Sequence, residues 1–209
     1  SEVCADEEQR NYFFNKVKAT TGRMLNLIND LLDISAIESG NLQLELAETD
    51  LVPFLRSIAE NHELTAKAKS IVIAGEIPDK LPLAMIDIRR LTQVVDNLIT
   101  NAVKFSPKNT TVRLKAEVID EQIKISVIDQ GQGIPETELP KLFREFGKTS
   151  VRPTDGEKST GLGLAIVKKI VTGHGGKVGV SSKVGQGSTF YLTLPAAANV
   201  TDRQKTVDA

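Results

Sequence analysis

Asn97, Asn101 and Lys104 recur at intervals of four and three residues within the segment 93–106. On a helix that spacing puts all three on one face, while Val94, Val95, Leu98, Ile99 and Ala102 fill the other. Two amide oxygens and an ammonium then converge. That set suits Mg²⁺ and phosphate, because Mg²⁺ is a hard ion that keeps several waters and takes few protein ligands. A merely solvated polar face has the same spacing, so the segment alone decides nothing. A second group is Asp129, Gly131, Gly133 and Ile134: a carboxylate at a strand end can accept a hydrogen bond from an exocyclic amine, and the two glycines let a planar base approach. A third is Thr160, Gly161, Leu162, Gly163 and Leu164, where glycine-lined amides open a helix and attract phosphate. Taken singly, the second group could be a turn and the third a loop before a helix.

The remaining composition removes rival chemistries. GxxxxGK[ST] is absent, and Gly161 and Gly163 lack the third glycine of GxGxxG, so neither common nucleotide-binding loop is present. No HExxH or comparable metal spacing occurs, and no paired serine and histidine suggests a hydrolytic triad. Cys4 is the single cysteine, which excludes an internal disulfide, a thiolate metal cluster and a CxxC pair and suits a reducing compartment. With 26 basic and 27 acidic side chains the net charge is −1, so no polycationic surface advertises nucleic acid. Apolar residues at 40% and charged residues at 25% are globular proportions, and 209 residues suffice for one domain with an appendage. No run approaches about 18 consecutive apolar residues, and the opening SEVCADEEQR is too acidic for a signal peptide. A cytoplasmic location is expected for this fragment, with any membrane anchor of a parent protein lying upstream.

The elements that must position these residues are legible from periodicity. From residue 11 to 38, Phe13, Val17, Met24, Ile28 and Leu31, with Phe14, Leu25 and Leu32 beside them, form a single apolar stripe on one long helix that Gly40 ends. A stripe of about seven turns, roughly 40 Å, suits a helical bundle or coiled coil better than a small core. Leu42, Leu44 and Leu46 then alternate as a half-buried strand. Asp50 caps a helix over 51–68 with Leu55, Ile58, Ala59, His62 and Ala66 along one side, strands follow at 70–74 and 83–86, and Asp87 caps a helix over 88–105. Residues 110–119 and 122–129 form a hairpin around Asp120 and Glu121; a loop follows to 159, then a helix at 161–172, strands at 177–182 and 188–194, and a polar tail. Hairpins mixed with helices imply an α+β sandwich, with helices on one face of a mostly antiparallel sheet.

In order along the chain, the asparagine-bearing helix, the Asp129–Gly133 segment, Leu142-Phe143-Arg144-Glu145-Phe146, the Thr160–Val167 segment and Gly185-Gln186-Gly187-Ser188-Thr189-Phe190 resemble the N, first glycine, F, second glycine and third glycine boxes of histidine kinases. These enzymes belong to the larger gyrase, Hsp90, histidine kinase and MutL ATPase superfamily. The likeness covers about 42–195, and Leu27–Gly40 is similar to the end of the kinase dimerisation hairpin. The resemblance implies the Bergerat ATP-binding fold, a two-layer α/β sandwich with a mixed, mostly antiparallel sheet, preceded by one long α-helix. It divides the chain into a second dimerisation helix (1–40), an ATP-binding catalytic domain (41–196) and a polar tail (197–209).

Position by position, the resemblance makes Asn101 the Mg²⁺ ligand, Asn97 a neighbour of the phosphates, and Lys104 their cation. Phe105 would flank the nucleoside, Asp129 would bind the adenine amine, Gly131, Gly133 and Ile134 would border the base, and Thr189 would lie near it. Thr160 to Leu164 would offer phosphate contacts, and 142–160 would form a mobile lid with Lys148 reaching the γ-phosphate. Ser159 departs from the family's usual glycine, which touches the lid's hinge. The implied reaction is transfer of phosphate from ATP·Mg to a histidine on a first dimerisation helix preceding residue 11, then to a response-regulator receiver domain, within a homodimer. His62 and His174 are the only histidines. His62 mimics an acceptor motif in His62-Glu63-Leu64-Thr65 but lies in the catalytic domain without the expected proline, and reads as an ordinary helix residue; His174 reads as a helix-end residue favoured by the dipole. A gyrase-type hydrolase would carry a glutamate base at the position of Asn97, where this chain has an amide that cannot take a proton.

Overall fold

The structure, a computed structural model, describes residues 2–38, 43–147, 149–157 and 160–197. The chain divides into two units, 1–42 and 43–209. The first is a single helix, α1 (Glu2–Glu38), which at 37 residues is about 55 Å long. It begins well before the expected residue 11, because Glu2, Ala5, Glu7, Glu8, Gln9 and Arg10 are strong helix formers and nothing interrupts them. Phe13, Phe14, Val17, Met24, Leu25, Ile28, Leu31 and Leu32 are 49% to 74% exposed, so the apolar stripe is uncovered in the single chain. Gly40, the expected stop, and Leu42 lie outside the described residues.

The second unit starts with a correction. Among the described residues, 43–46 form no strand; β1 is Ala47–Thr49, pinned by antiparallel pairing to β3 (Ala84–Ile86). The leucine alternation did not mark the pairing, and Leu46 is exposed. Helix α2 (Leu51–Lys67) starts where Asp50 accepts the Val52 N–H at 2.9 Å, and buries Leu51, Leu55, Ile58, Ala59 and Ala66. Its chain leaves through Ser70 in the left-handed region (φ 57), so β2 forms at Val72–Glu76 rather than at 70–74. Helix α3 (Ile88–Phe105) is capped by Asp87, whose Oδ1 accepts from the Arg89 and Arg90 N–H groups. Burial raises the Asp87 carboxyl, but hydrogen bonds from the Arg90, Glu45 and Arg89 N–H groups outweigh it and hold the group below its ordinary value.

Strands β4 (Thr111–Ile119) and β5 (Gln122–Asp129) form the hairpin, with Asp120 and Glu121 both at positive φ as a two-residue primed turn demands. The long loop contains a short 3-10 helix, Glu136–Lys141, which periodicity could not show in six residues. Helix α4 (Gly163–Gly173) opens two residues later than expected because Gly161 sits at φ +78, outside helical space. Strands β6 (Lys177–Ser182) and β7 (Ser188–Pro195) complete a five-stranded sheet of order β2-β4-β5-β7-β6. Only the β2–β4 pair is parallel. Val112, Leu114, Ile123, Ile125, Leu192 and Leu194 point from one face into a core closed by Leu55, Leu91, Ile99, Ile166 and Ile170 of the three helices. This is the expected two-layer α+β sandwich.

His174 corrects a second expectation. It caps α4, but its Nε2 accepts the Asp87 N–H at 3.0 Å while its Nδ1 donates to the Ile170 carbonyl at 2.9 Å, so the buried ring is neutral and acts through hydrogen bonds rather than charge. It ties the end of α4 to the start of α3. His174→Ala strands a buried N–H and opens a cavity, and is expected to lower stability by about 2 to 4 kcal/mol in chemical denaturation. A midpoint unchanged from the parent chain would contradict this account.

Candidate functional site

The inner end of β5 carries Asp129, which is 5% exposed. Its Oδ1 accepts two N–H bonds, from Gly131 at 2.8 Å and from Ser188 at 3.1 Å. Its Oδ2 has no partner among the described residues. Burial pushes the carboxyl up from its ordinary value, and the Gly131 and Ser188 N–H groups partly offset that. Gly131 lies against the Phe105 carbonyl; a Cβ there would come within 2.8 Å of both that oxygen and Asp129 Oδ1. Gly133 has φ +70, and a Cβ on it would drive into the Lys183 carbonyl oxygen, so the turn after β5 sits directly on the β6–β7 turn. The Ile134 N–H donates to Ser182 Oγ at 2.8 Å in the same contact.

Thr189 is not beside Asp129. Burial along β7 alternates, with Ser188, Phe190, Leu192 and Leu194 inward and Thr189 on the opposite parity. Ser188, rather than Thr189, stands opposite Asp129 in the β5–β7 pairing.

On α3 the expected face forms. Asn97 donates to the Gln93 carbonyl at 3.0 Å, and its Oδ1 faces Gly163 so closely that a Cβ there would lie 2.6 Å away. The N-terminus of α4, with the amides of Gly163 and Leu164, therefore abuts Asn97. Thr160 Oγ1 accepts the Leu162 N–H at 3.2 Å and shapes that turn, while Leu162 itself is buried as an anchor. Asn101 makes no side-chain hydrogen bond among the described residues, leaving its amide oxygen available. Lys104, in the last turn, is half-buried: burial lowers its ammonium from the ordinary value, Glu157 pulls it back, and Lys69 adds to the lowering.

Lys69 was not foreseen. Its buried ammonium donates to the Val103 and Lys104 carbonyls at 3.1 Å each and to Glu157 Oε1 at 3.2 Å, with Asp155 Oδ2 at 3.9 Å. It closes the C-terminal end of α3 and ties the segment expected to be the lid to it. Thr154 adds bonds to the Lys104 and Ser106 carbonyls, Gln132 bonds the Arg152 carbonyl, and Glu138 accepts from Ser150. Phe143 meets Phe190 edge-on at 6.5 Å, and Glu145 pairs with Lys169 of α4 at 2.8 Å. These contacts hold the described part of this segment at several points. Lys148 and Ser159 lie outside the described residues.

Among the described residues no cluster of three or more His, Cys, Asp or Glu could cage a metal. One unengaged amide oxygen beside a cation fits an ion that brings its own waters and a ligand's phosphates. No helix among the described residues is long and apolar enough to cross a membrane.

Residues 86–198 match the family described as Histidine kinase-, DNA gyrase B-, and HSP90-like ATPase. Among curated relatives, the sensor protein kinase WalK of Staphylococcus epidermidis is 36% identical over 192 residues, covering 91% of this chain and 31% of its own length. A Staphylococcus aureus WalK is 35% identical and 46% covered. The chain thus spans a third to a half of those relatives. Full-length ShkA, crystallised with AMPPNP, superposes with TM-score 0.73 at 36% identity, over 83% of this chain and 36% of ShkA. The catalytic domain of histidine kinase ThkA gives TM-score 0.62 at 27% identity, over 73% of this chain and 97% of that domain. With the two-layer sandwich, the buried Asp129 and the asparagine face of α3 already in place, these likenesses agree with one another: the chain belongs to the histidine kinase-, DNA gyrase B- and HSP90-like ATPases, and its sandwich is the ATP-binding catalytic domain of a sensor histidine kinase.

Proposed function

We propose that residues 43–197 bind ATP with its adenine amine on Asp129 Oδ2 and its phosphates between Asn97, Lys104 and the N-terminus of α4. The observation that carries this reading is the division of labour at Asp129, where Oδ1 is held by two backbone N–H groups and Oδ2 is left as a fixed acceptor. Mg²⁺, held by Asn101 and the phosphates, would supply charge neutralisation on the transferred group. The chain's own residues orient the chain of phosphates: Lys104 offsets charge and the α4 amides donate hydrogen bonds.

The acceptor is a histidine outside this sequence. Both nitrogens of His174 are engaged in the core, and His62 Nε2 is bonded to Asp96 Oδ1 at 2.8 Å on the α2–α3 side. The same bond argues against a hydrolase, since Asp96 is the one acid of α3 and is occupied there rather than facing a water beside Asn97. Onward transfer to a receiver-domain aspartate and homodimerisation through the α1 stripe complete the proposed cycle. Incubation with γ-labelled ATP·Mg and a separately made dimerisation hairpin is expected to label the hairpin and not this chain. Self-labelling lost in His62→Ala would overturn the assignment.

A further inference from the structure

We propose that Ser182 is a positioning residue that makes the base site select a 6-amino purine, through the orientation it imposes on Ser188. The inference rests on the ATP reading above. Ser182 ends β6 and stands opposite Ser188 in the β6–β7 register. Its Oγ accepts the Ile134 N–H at 2.8 Å, donates to the Gly187 carbonyl at 2.9 Å, and lies 2.9 Å from Ser188 Oγ. A serine hydroxyl has one proton and two lone pairs. With that proton given to the Gly187 carbonyl, the contact between the two hydroxyls is Ser188 donating to Ser182, the arrangement that satisfies all three groups together. Three partners then saturate Ser182, and the Ser188 proton is committed.

That commitment has a consequence for the base. Ser188 also gives its N–H to Asp129 Oδ1, which places it beside the carboxylate. With its proton turned toward Ser182, Ser188 Oγ has only lone pairs to offer, as does Asp129 Oδ2. Both groups are acceptors. An exocyclic amine, directly or through a water, satisfies them; a carbonyl at the same ring position meets acceptors only. The same Ser182 hydroxyl joins the turn after β5 to the end of the β6–β7 turn where it enters β7, and a bond from the Gly185 N–H to the Gln132 carbonyl at 2.7 Å reinforces that junction. Ser182→Ala frees the Ser188 hydroxyl to rotate and become a donor, so discrimination falls without any loss of a nucleotide contact by residue 182 itself.

The test measures affinities of the whole chain for ATP and for inosine triphosphate, whose base bears a carbonyl where adenine bears the amine. The parent chain is expected to favour ATP by at least about 100-fold, in the range seen when a site built for one hydrogen-bonding pattern rejects another. Ser182→Ala is expected to cut that ratio about tenfold, mainly by weakening ATP, and Ser182→Thr, which keeps the hydroxyl, to restore it. Ser188→Ala, which retains the N–H bond to Asp129 and perturbs the junction less, should lower the ratio in the same direction even if Ser182→Ala folds poorly. Equal weakening of both nucleotides in both alanine variants would overturn the inference and leave Ser182 a structural serine. A preference intact in the alanine variants but lost in Asp129→Asn would sink the inference while the adenine assignment stands; no preference in the parent chain would sink both.

Discussion

Asp129→Asn is expected to weaken ATP binding by at least about 100-fold while leaving the nucleotide-free chain as stable as the parent or more so. Asparagine keeps an oxygen that can accept the Gly131 and Ser188 N–H groups, but it puts an NH₂ where Oδ2 stood, facing the adenine amine donor to donor. Losing a charge-assisted bond and stranding two donors costs about 3 kcal/mol, which corresponds to that loss of affinity. Stability goes the other way because burial raises the Asp129 carboxyl above its ordinary value. A raised folded-state value means the protonated group favours the fold: its contribution is fully present below the unfolded-state value and is lost as pH rises through the folded one. At neutral pH the ionised Asp129 therefore weakens the empty domain, and the variant removes that cost. Binding has the opposite sign, since the amine needs a carboxylate, so ATP affinity should fall as pH drops through the raised value. Calorimetry at neutral and acid pH, with melting curves of both chains, reads all three effects. Parent-like ATP affinity in the variant would refute the adenine assignment.

Asn101→Ala is expected to abolish the gain in nucleotide affinity that Mg²⁺ confers and to slow transfer to an added acceptor hairpin by about 10² to 10³, the usual scale for removing one electrostatic contact to the reacting group. Nucleotide affinity measured in chelator should change by less than about threefold, because Asn101 makes no side-chain hydrogen bond within the protein and its loss disturbs no partner. The contrast separates a metal ligand from a structural amide. Asn97→Ala should behave differently: that side chain bonds the Gln93 carbonyl and contacts Gly163, so metal-free affinity should fall as well. A Mg²⁺-dependent gain undiminished in Asn101→Ala would move the ion elsewhere.

Much of the site was legible because its residues lie close together in the chain. The Asn97, Asn101 and Lys104 face follows from helix geometry, and the start of α3 was marked by Asp87. Asp129, Gly131 and Gly133 stood out as a group because a strand end and its turn are consecutive. Which residue of β7 faces Asp129 was not legible, because in a strand one residue reverses the face, and the register sets Ser188 rather than Thr189 opposite it. Strand β1 was misplaced for a related reason: Leu44 and Leu46 alternate, but the pairing with β3 that defines the strand involves residues 84–86, nearly forty positions away.

By itself, then, the amino-acid order determined the helices, the hairpin, the three polar groups and the family, all of which depend on spacings shorter than a few turns or on local turn chemistry. Only the tertiary structure decided which groups close the site. Lys69 reaches the end of α3 across 34 and 35 residues and Glu157 across 88, and Ser182 meets Ile134 across 48. His174 finds the Asp87 N–H across 87, turning an expected helix-end charge into a neutral bridge. A lysine or serine with no periodic or motif context looks the same whether solvated or buried. What separates the two cases is a backbone carbonyl or N–H brought to it by a distant segment, and that meeting exists only once the sheet has assembled.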